Sequence, residues 1–160
     1  MKAKHIKARI EQCLAIAACS PCPRRRMGCV VVDPHDNVVL LDGYNGLPRG
    51  FDGPLCGGIR CLRDRIESGT ELDIGCHHAE RNAIANAARL GIALDKSWMF
   101  VTGEPCIGCA KMVHHSGIAV VYCVKHGYAG GHDGVEYLEK HGVEVRFVDG
   151  PRDPRLANME

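Results

Sequence analysis

The chain has 160 residues, of which 46% are hydrophobic and 24% charged, a composition that fits one globular domain and excludes a disordered or fibrous chain. Its formal charge of +1 gives no large positive field for a polynucleotide backbone, so the composition favours a small-molecule substrate over a nucleic acid. No apolar run approaches the roughly 18–20 residues that span a bilayer, and charged side chains interrupt the first apolar segment, so we expect neither a membrane span nor a signal peptide.

The apolar pattern predicts the first elements of the chain. A stripe of apolar residues at three- and four-residue steps predicts an amphipathic helix over residues 2–19. Two β-branched or apolar runs, Gly28–Asp33 and Val38–Tyr44, flank a turn-forming segment and predict a β-hairpin. A long insert rich in cysteine and glycine follows at about residues 45–77, and we expect a short helix near residues 59–67 to interrupt it. Inserts of this length in a compact domain tend to be functional.

Helices and strands alternate after the insert. The predicted helices cover residues 79–90, 107–116 and 134–141, and the predicted strands cover residues 97–102, 118–124 and 143–148. A hairpin followed by this alternation predicts an α/β fold, a three-layer α/β/α sandwich with a mixed five-stranded sheet. Because no internal repeat or second unit is visible, we predict a single domain over residues 1–160, ending in a loose tail.

Ten cysteines and nine histidines are the outliers of the composition. Disulfides are the first alternative for so many thiols, and they are favoured in small secreted domains. This chain shows no export signal and can bury a core without covalent links. We therefore predict a reduced, cytoplasmic protein with metal sites.

The strongest chemical signal is a pair of segments, His-Ala-Glu at residues 78–80 and Pro-Cys-Ile-Gly-Cys at residues 105–109. Cys106 and Cys109 lie three residues apart at a helix start, so they share one face, and the helix dipole favours their thiolate forms. His78 begins another helix and can supply a third metal ligand. Three protein ligands leave the fourth tetrahedral position of zinc to water, as a catalytic zinc requires.

Glu80 follows the histidine by two residues and can transfer protons without binding the metal. The alternative is a closed zinc knuckle. A second Cys-x-x-Cys pair, Cys19 and Cys22, could join Cys106 and Cys109 in a four-thiolate site. That alternative leaves the His-Ala-Glu segment unexplained.

The two segments resemble the signature of the zinc-dependent cytidine/deoxycytidylate deaminase superfamily, His-x-Glu with Pro-Cys-x-x-Cys. Residues 43–50, GYNGLPRG, are similar to the GYNGxPxG segment of its deoxycytidylate (dCMP) deaminase branch. Residues 22–28 resemble the cysteine and basic residues that precede the first strand in that branch, and residues 78–84 resemble its HAExNAI helix. The resemblance covers residues 5–148 and implies the cytidine-deaminase-like fold.

The resemblance implies hydrolytic deamination of dCMP to dUMP and ammonia by a zinc-activated water, which supplies dUMP for thymidylate synthesis. His78, Cys106 and Cys109 would hold the catalytic zinc, and Glu80 would be the catalytic residue. Three alternatives stay open: a tRNA adenosine deaminase, a deaminase of a modified cytosine nucleotide, and a non-catalytic zinc-binding module. The GYNGxPxG segment, the cysteine-rich insert and the near-neutral charge weigh against the tRNA enzyme.

The resemblance also implies substrate-binding residues. Asn45 would hydrogen-bond the sugar, and Ala79 lies between the histidine and the glutamate of the signature. Arg24 and Arg26 belong to a basic run close to the predicted site, and either could bind the substrate phosphate, although such runs are more often solvated surface. Residues 126–128 lie where substrate-closing residues fall in this fold.

Regulation and assembly are further implications of the resemblance. Many family members are homo-oligomers, often hexamers, which dCTP activates and dTTP inhibits, and we expect such an effector to carry Mg²⁺. The allosteric nucleotide would use Tyr44, Asn45 and Gly46.

A second, structural zinc occurs in some family members. Cys22 and Cys56 match the ligand positions of those members best, and Cys61, Cys76 and His77 are the candidates to complete the set. Cys76 directly precedes two histidines instead of lying several residues upstream, as is commoner in the family. The alternative is that these cysteines are buried or turn-forming residues without a metal.

Overall fold

The computed structural model describes residues 1–47, 61–67, 70, 72, 74–125 and 130–149. Helices and strands follow each other in the predicted order within this part of the chain. They are α1 (Ala3–Ala17), β1 (Gly28–Asp33), β2 (Val38–Tyr44), α2 (Ala79–Leu90), β3 (Trp98–Val101), α3 (Ile107–His115), β4 (Val120–Val124), α4 (Gly131–Lys140) and β5 (Glu144–Val148). Over these residues, no helix combines the length and apolar character needed to cross a membrane.

The five strands form one mixed sheet in the order β2-β1-β3-β4-β5. Strand β1 is antiparallel to both β2 and β3, while β3, β4 and β5 are parallel to one another. The predicted mixed five-stranded sheet is confirmed. This topology brings the start of β1 and the ends of β2 and β3 to one edge, because Gly28 pairs with Tyr44 and Cys29 pairs with Val101.

Helices cover both faces of the sheet, which confirms the three-layer α/β/α sandwich. On one face, Cys29, Val31 and Val121 form a buried cluster that also contains residues of α2, α3 and α4. On the other face, Val30 and Val32 join a second cluster with residues of α1. The two clusters take alternate residues of each strand, as the two-residue period of a β-strand requires.

Two predictions about local structure are wrong. Residues 61–67 form turns instead of the expected short helix, and residues 59–60 lie outside the described part. Arg65 has a φ of 71°, in the left-handed region that a helix cannot contain. The guanidinium of Arg24 donates to the carbonyls of Arg63 and Ile66, so side chains satisfy this backbone. Helix α4 begins three residues before the predicted start, at Gly131 instead of residue 134, because packing against α3 offsets the low helix propensity of glycine.

Candidate active site

The three predicted zinc ligands lie at the starts of two helices that meet at the same edge of the sheet. His78 and Cys106 are the residues that precede the first turns of α2 and α3, and both have extended backbone. Neither side chain caps its own helix, so both are available to a metal. Cys109 lies one turn into α3 and is fully buried.

The ligand atoms lie at distances that suit a single ion. Nδ1 of His78 is 3.4 Å from Sγ of Cys106 and 3.4 Å from Sγ of Cys109. Bonds of about 2.05 Å to nitrogen and 2.3 Å to sulfur in a tetrahedral zinc site require an N···S separation of about 3.5 Å. All three ligand atoms lie within 4.8 Å of one another, and no other group of three metal-ligating side chains occurs among the described residues. The donor set therefore fits zinc.

The pKa values of the two thiols and the imidazole depend on one another even without a metal. Hydrogen bonds from Cys109 and His78 lower the pKa of Cys106 to about 3, so this residue is a thiolate. The same contact, together with burial, raises the pKa of Cys109, so the pair keeps one proton. The hydrogen bond to the Cys106 thiolate raises the pKa of His78. This arrangement is ready to exchange protons for a divalent cation.

Glu80 lies beside the ligands in the first turn of α2, with only 5% of its surface exposed. Burial raises the pKa of Glu80 above its ordinary value, while the charge of His78 and a hydrogen bond from the Cys109 thiol act in the opposite direction. A carboxyl group that is buried next to a metal site and has a raised pKa holds a proton more readily than an exposed one, which suits it to proton transfer.

The backbone of β2 holds α2 in place. A methyl group on Gly43 would lie 2.5 Å from the carbonyl oxygen of Ala79 and 2.7 Å from the amide nitrogen of Ala83, so helix and strand are in direct backbone contact. Nδ2 of Asn82 donates to the carbonyl of Tyr44 at 2.7 Å. These contacts fix the helix that carries His78 and Glu80. The sequence analysis did not identify Gly43 or Asn82. The available signal was a glycine within a predicted strand.

Asn45 lies buried just after β2, where its amide connects two segments. Oδ1 accepts a hydrogen bond from the N–H of Met27 and Nδ2 donates to the carbonyl of Arg25, each at 2.8 Å. The hydroxyl of Ser20 donates to the Asn45 carbonyl at 2.6 Å. The side chain therefore holds the segment before β1 against the end of β2. The side chain also hydrogen-bonds the Cys22 thiol, and the predicted sugar contact stays a prediction.

The predicted phosphate-binding arginines have different surroundings. The guanidinium of Arg24 binds two backbone carbonyls of the segment 61–67, as described above, which is a structural use of the side chain. Arg26 is partly exposed and makes no hydrogen bond or ion pair to a described residue. A phosphate contact of Arg24 or Arg26 stays a prediction.

The other predicted nucleotide contacts differ in accessibility. The side chain of Ala79 is fully buried, so its backbone N–H in the first turn of α2 is the group that a substrate could use. Among the predicted allosteric residues, Tyr44 is 39% exposed, whereas Asn45 is 7% exposed and Gly46 is also buried. Residues 48–50 and 126–128 lie outside the described part of the chain.

Two of the four candidates for a second zinc that the structure describes come together. The thiol of Cys76 hydrogen-bonds the buried Cys22 and is the main cause that lowers the pKa of Cys22 to about 5. Cys61 and His77 form no three-ligand group with them among the described residues. The backbone of His77 instead pairs with Gly46. Cys56 lies outside the described residues.

The four-thiolate alternative is wrong. Cys19 is exposed and Cys22 contacts Cys76, and neither joins the ligand group that contains Cys106 and Cys109. The two Cys-x-x-Cys pairs therefore belong to different parts of the structure.

Comparison with known proteins identifies the family. The model of the cytidine and deoxycytidylate deaminase zinc-binding region matches residues 3–125. The chain belongs to this family. Its member ComE operon protein 2 of Bacillus subtilis (strain 168) is 33% identical over 141 residues, which are 84% of this chain and 66% of that protein. The deoxycytidylate deaminase of Saccharomyces cerevisiae is 30% identical over 142 residues, which are 88% of this chain and 44% of that enzyme. The chain thus spans less than two thirds of both relatives.

A solved structure of the family has nearly the same extent as this chain. The dCMP deaminase of cyanophage S-TIM5, crystallised with dCMP and dUMP, is 28% identical and superposes with a TM-score of 0.76. The match covers 92% of this chain and 99% of the phage protein. The cytidine-deaminase-like fold predicted from the sequence is confirmed.

Proposed function

We propose that this chain is a zinc-dependent dCMP deaminase that hydrolyses dCMP to dUMP and ammonia and so supplies dUMP for thymidylate synthesis. One observation carries the proposal: an imidazole and two thiols lie at the separations of a single zinc site, with a buried carboxyl group beside them. The resemblance to a phage enzyme that was crystallised with dCMP and dUMP supports the choice of substrate.

His78, Cys106 and Cys109 would hold the zinc, which when bound would supply a hydroxide nucleophile at neutral pH. Glu80 accepts the proton that water releases and delivers a proton to N3 of the cytosine ring. The C4–O bond forms, and Glu80 then takes the remaining proton of the new C4 hydroxyl and passes it to the amino group. The C4–N bond breaks, ammonia leaves, and C4 becomes the carbonyl carbon of dUMP. Because Glu80 is buried, bulk water does not compete for these protons.

Groups at the same edge of the sheet would position the nucleotide. The side chain of Asn45 and the backbone N–H of Ala79 are candidates for the sugar and the base. Arg26 is the candidate for the phosphate, since a guanidinium binds phosphate oxygens in a bidentate manner. Because Arg24 binds backbone carbonyls, Arg24→Ala is expected to lower stability. Arg26→Ala is expected to lower the affinity for the substrate.

Turnover of a substrate panel tests the proposal. Ammonia release is measured with dCMP, deoxycytidine, 5-methyl-dCMP, 5-hydroxymethyl-dCMP and a tRNA anticodon stem, each at the same concentration. We expect dCMP to give a higher kcat/KM than deoxycytidine, because Arg26 would bind its phosphate. We expect it to exceed the modified nucleotides too, since the similar phage enzyme was crystallised with dCMP and dUMP. A preference for the RNA, or for a modified nucleotide, would replace dCMP as the substrate. No ammonia from any of them would favour the zinc-binding module.

We also propose a second, structural zinc that uses Cys22 and Cys76, with Cys56, Cys61 or His77 as candidates to complete the set. The contact between the two thiols and the depressed pKa of Cys22 support it, because metals bind the thiolate form.

Metal analysis of single variants tests this second site. We expect about two zinc ions per wild-type chain and about one in Cys22→Ser, with thermal stability reduced and measurable deamination kept. Cys19→Ser is the matched control, because this thiol is exposed and three residues away. One zinc in both wild type and Cys22→Ser would contradict the second site.

Assembly, regulation and location stay predictions from the resemblance. The predicted assembly is a homo-oligomer, with a hexamer favoured. The predicted regulation is by dCTP and dTTP with Mg²⁺ near the exposed Tyr44, and the predicted location is cytoplasmic.

A further inference from the structure

Helix α4 packs against the peptide that leads into the cysteine helix. Gly131, Gly134 and Leu138 are the buried residues of α4, and their spacing places them on one face. A methyl group on Gly134 would lie 1.9 Å from the carbonyl oxygen of Pro105 and 2.9 Å from the carbonyl carbon of Cys106. The backbone of α4 is therefore in direct contact with the backbone of a predicted zinc ligand.

Steric contact with another backbone segment explains why position 134 is a glycine. It lies inside a helix, where glycine is among the least favourable residues. It is not among the glycines with a positive φ, so backbone conformation does not require glycine there. The atoms that a side chain would meet are backbone atoms, which cannot rotate away as a flexible side chain can. A larger residue would therefore displace either α4 or the Pro105–Cys106 peptide.

Cys106 depends on such support more than the other two ligands do. Cys109 lies within α3 and is fully buried, and His78 begins a helix that is pressed onto the backbone of Gly43. Cys106 precedes the first turn of α3 and is only partly buried. Its sulfur keeps ligand distance to His78 only while the peptide before it stays in place.

We propose that Gly134 is a positioning residue for the zinc site: its missing side chain lets α4 support the Pro105–Cys106 peptide and fix Cys106 as a ligand. The inference rests on the zinc site of the proposed function, but it concerns an element outside the signature segments. It predicts that a change on α4 alters metal affinity without touching any ligand.

Gly134→Ala and a matched glycine variant test the proposal. Gly28 is the match, since a methyl group there would also lie 1.9 Å from a backbone oxygen, that of Cys13 in α1, on the opposite face of the sheet. Zinc affinity is measured by competition with a chelator, without nucleotide, on protein whose fold is verified by circular dichroism. We expect Gly134→Ala to weaken zinc binding by about 10- to 100-fold, as loss of a supporting contact at a metal site does. We expect Gly28→Ala to lower stability and to change the zinc affinity of the folded protein much less than Gly134→Ala does. Gly28 lies at the same edge of the sheet, but its methyl group would displace α1, which carries no predicted zinc ligand.

Leu138→Ala tests the same support without introducing a clash, which matters if Gly134→Ala does not fold. Leu138 is fully buried with Ala110 and Val113 of α3, so its truncation loosens α4 from the cysteine helix. We expect faster zinc release from Leu138→Ala than from Ile10→Ala, which removes a buried side chain on the α1 face.

Equal zinc affinity in Gly134→Ala and Gly28→Ala, or equal release rates in the two truncation variants, would show that α4 does not position the ligand. The deaminase proposal would be unaffected by that result, because dCMP turnover of the wild type is a separate measurement. Weakened zinc binding in a protein that releases no ammonia would support the role of Gly134 and contradict the deaminase.

Discussion

Replacing Glu80 by glutamine is expected to lower kcat for dCMP by about 10²- to 10⁴-fold while the fold and the zinc stay in place, since general acid–base catalysis contributes on this order. Glutamine has nearly the same shape, so the buried space that Glu80 occupies stays filled. Its amide is neutral, as is the protonated carboxylic acid that burial favours. The amide cannot take a proton from water or deliver one to the ring, so only the chemical step is lost.

Three measurements together separate this loss from damage to the site: kcat and KM by ammonia release, zinc per chain, and the unfolding midpoint. Glu139→Gln is the control, because it makes the same substitution on an exposed residue of α4 and should keep wild-type turnover. Turnover of Glu80→Gln within about tenfold of wild type would show that another group transfers the protons. Loss of zinc in this variant would show instead that Glu80 is needed to form the metal site.

The fold was predictable because the apolar pattern is consistent along almost every element. Strand β1 shows why: Val30 and Val32 face α1, and Cys29 and Val31 face the other helices, so the whole strand is apolar and bounded by a glycine and a turn. The wrong predictions fall where tertiary contacts decide the backbone. No local pattern could show that the side chain of Arg24 would satisfy carbonyls about 40 residues away and keep that segment from forming a helix.

In the candidate site, too, some residues were predictable from the sequence and others were not. Cys106 and Cys109 were predictable because they lie three residues apart at a helix start, and His78 because it begins another helix two residues before Glu80. The sheet topology then brings the two helix starts together. The residues that hold those helix starts were not predictable. Gly43 and Gly134 have no side chain, which lets another backbone segment pack directly against them. The backbone groups they contact lie far away in the sequence.

The environment of the other cysteines also needed the structure. Spacing gives Cys19 and Cys22 the same status as Cys106 and Cys109, because both pairs read Cys-x-x-Cys. Only the fold shows that Cys19 is exposed and that the partner of Cys22 is Cys76, which lies near the end of the long insert. Ligand sets that are built from distant segments cannot be read from spacing.

Replacing Cys109 by alanine is expected to abolish both catalytic zinc binding and deamination. The variant keeps His78 and Cys106, and two ligands cannot hold zinc as three do. Without the metal, the pKa of the nucleophilic water would rise far above neutral, to that of free water, so the loss of turnover should be at least as large as that of Glu80→Gln. A buried alanine is compatible with α3, since Ala110 beside it is equally buried.

The response of stability to zinc gives a second measurement that does not depend on turnover. A metal that binds only the folded chain raises the unfolding midpoint, so chelation should lower the midpoint of the wild type. Chelation should lower the unfolding midpoint of Cys109→Ala by less, because this variant has already lost the catalytic zinc. Cys19→Ala, which removes an exposed thiol, should keep the wild-type metal content and activity. Unchanged zinc content in Cys109→Ala, or loss of zinc in Cys19→Ala, would mean that the metal is not held by the imidazole and two thiols that the fold brings together.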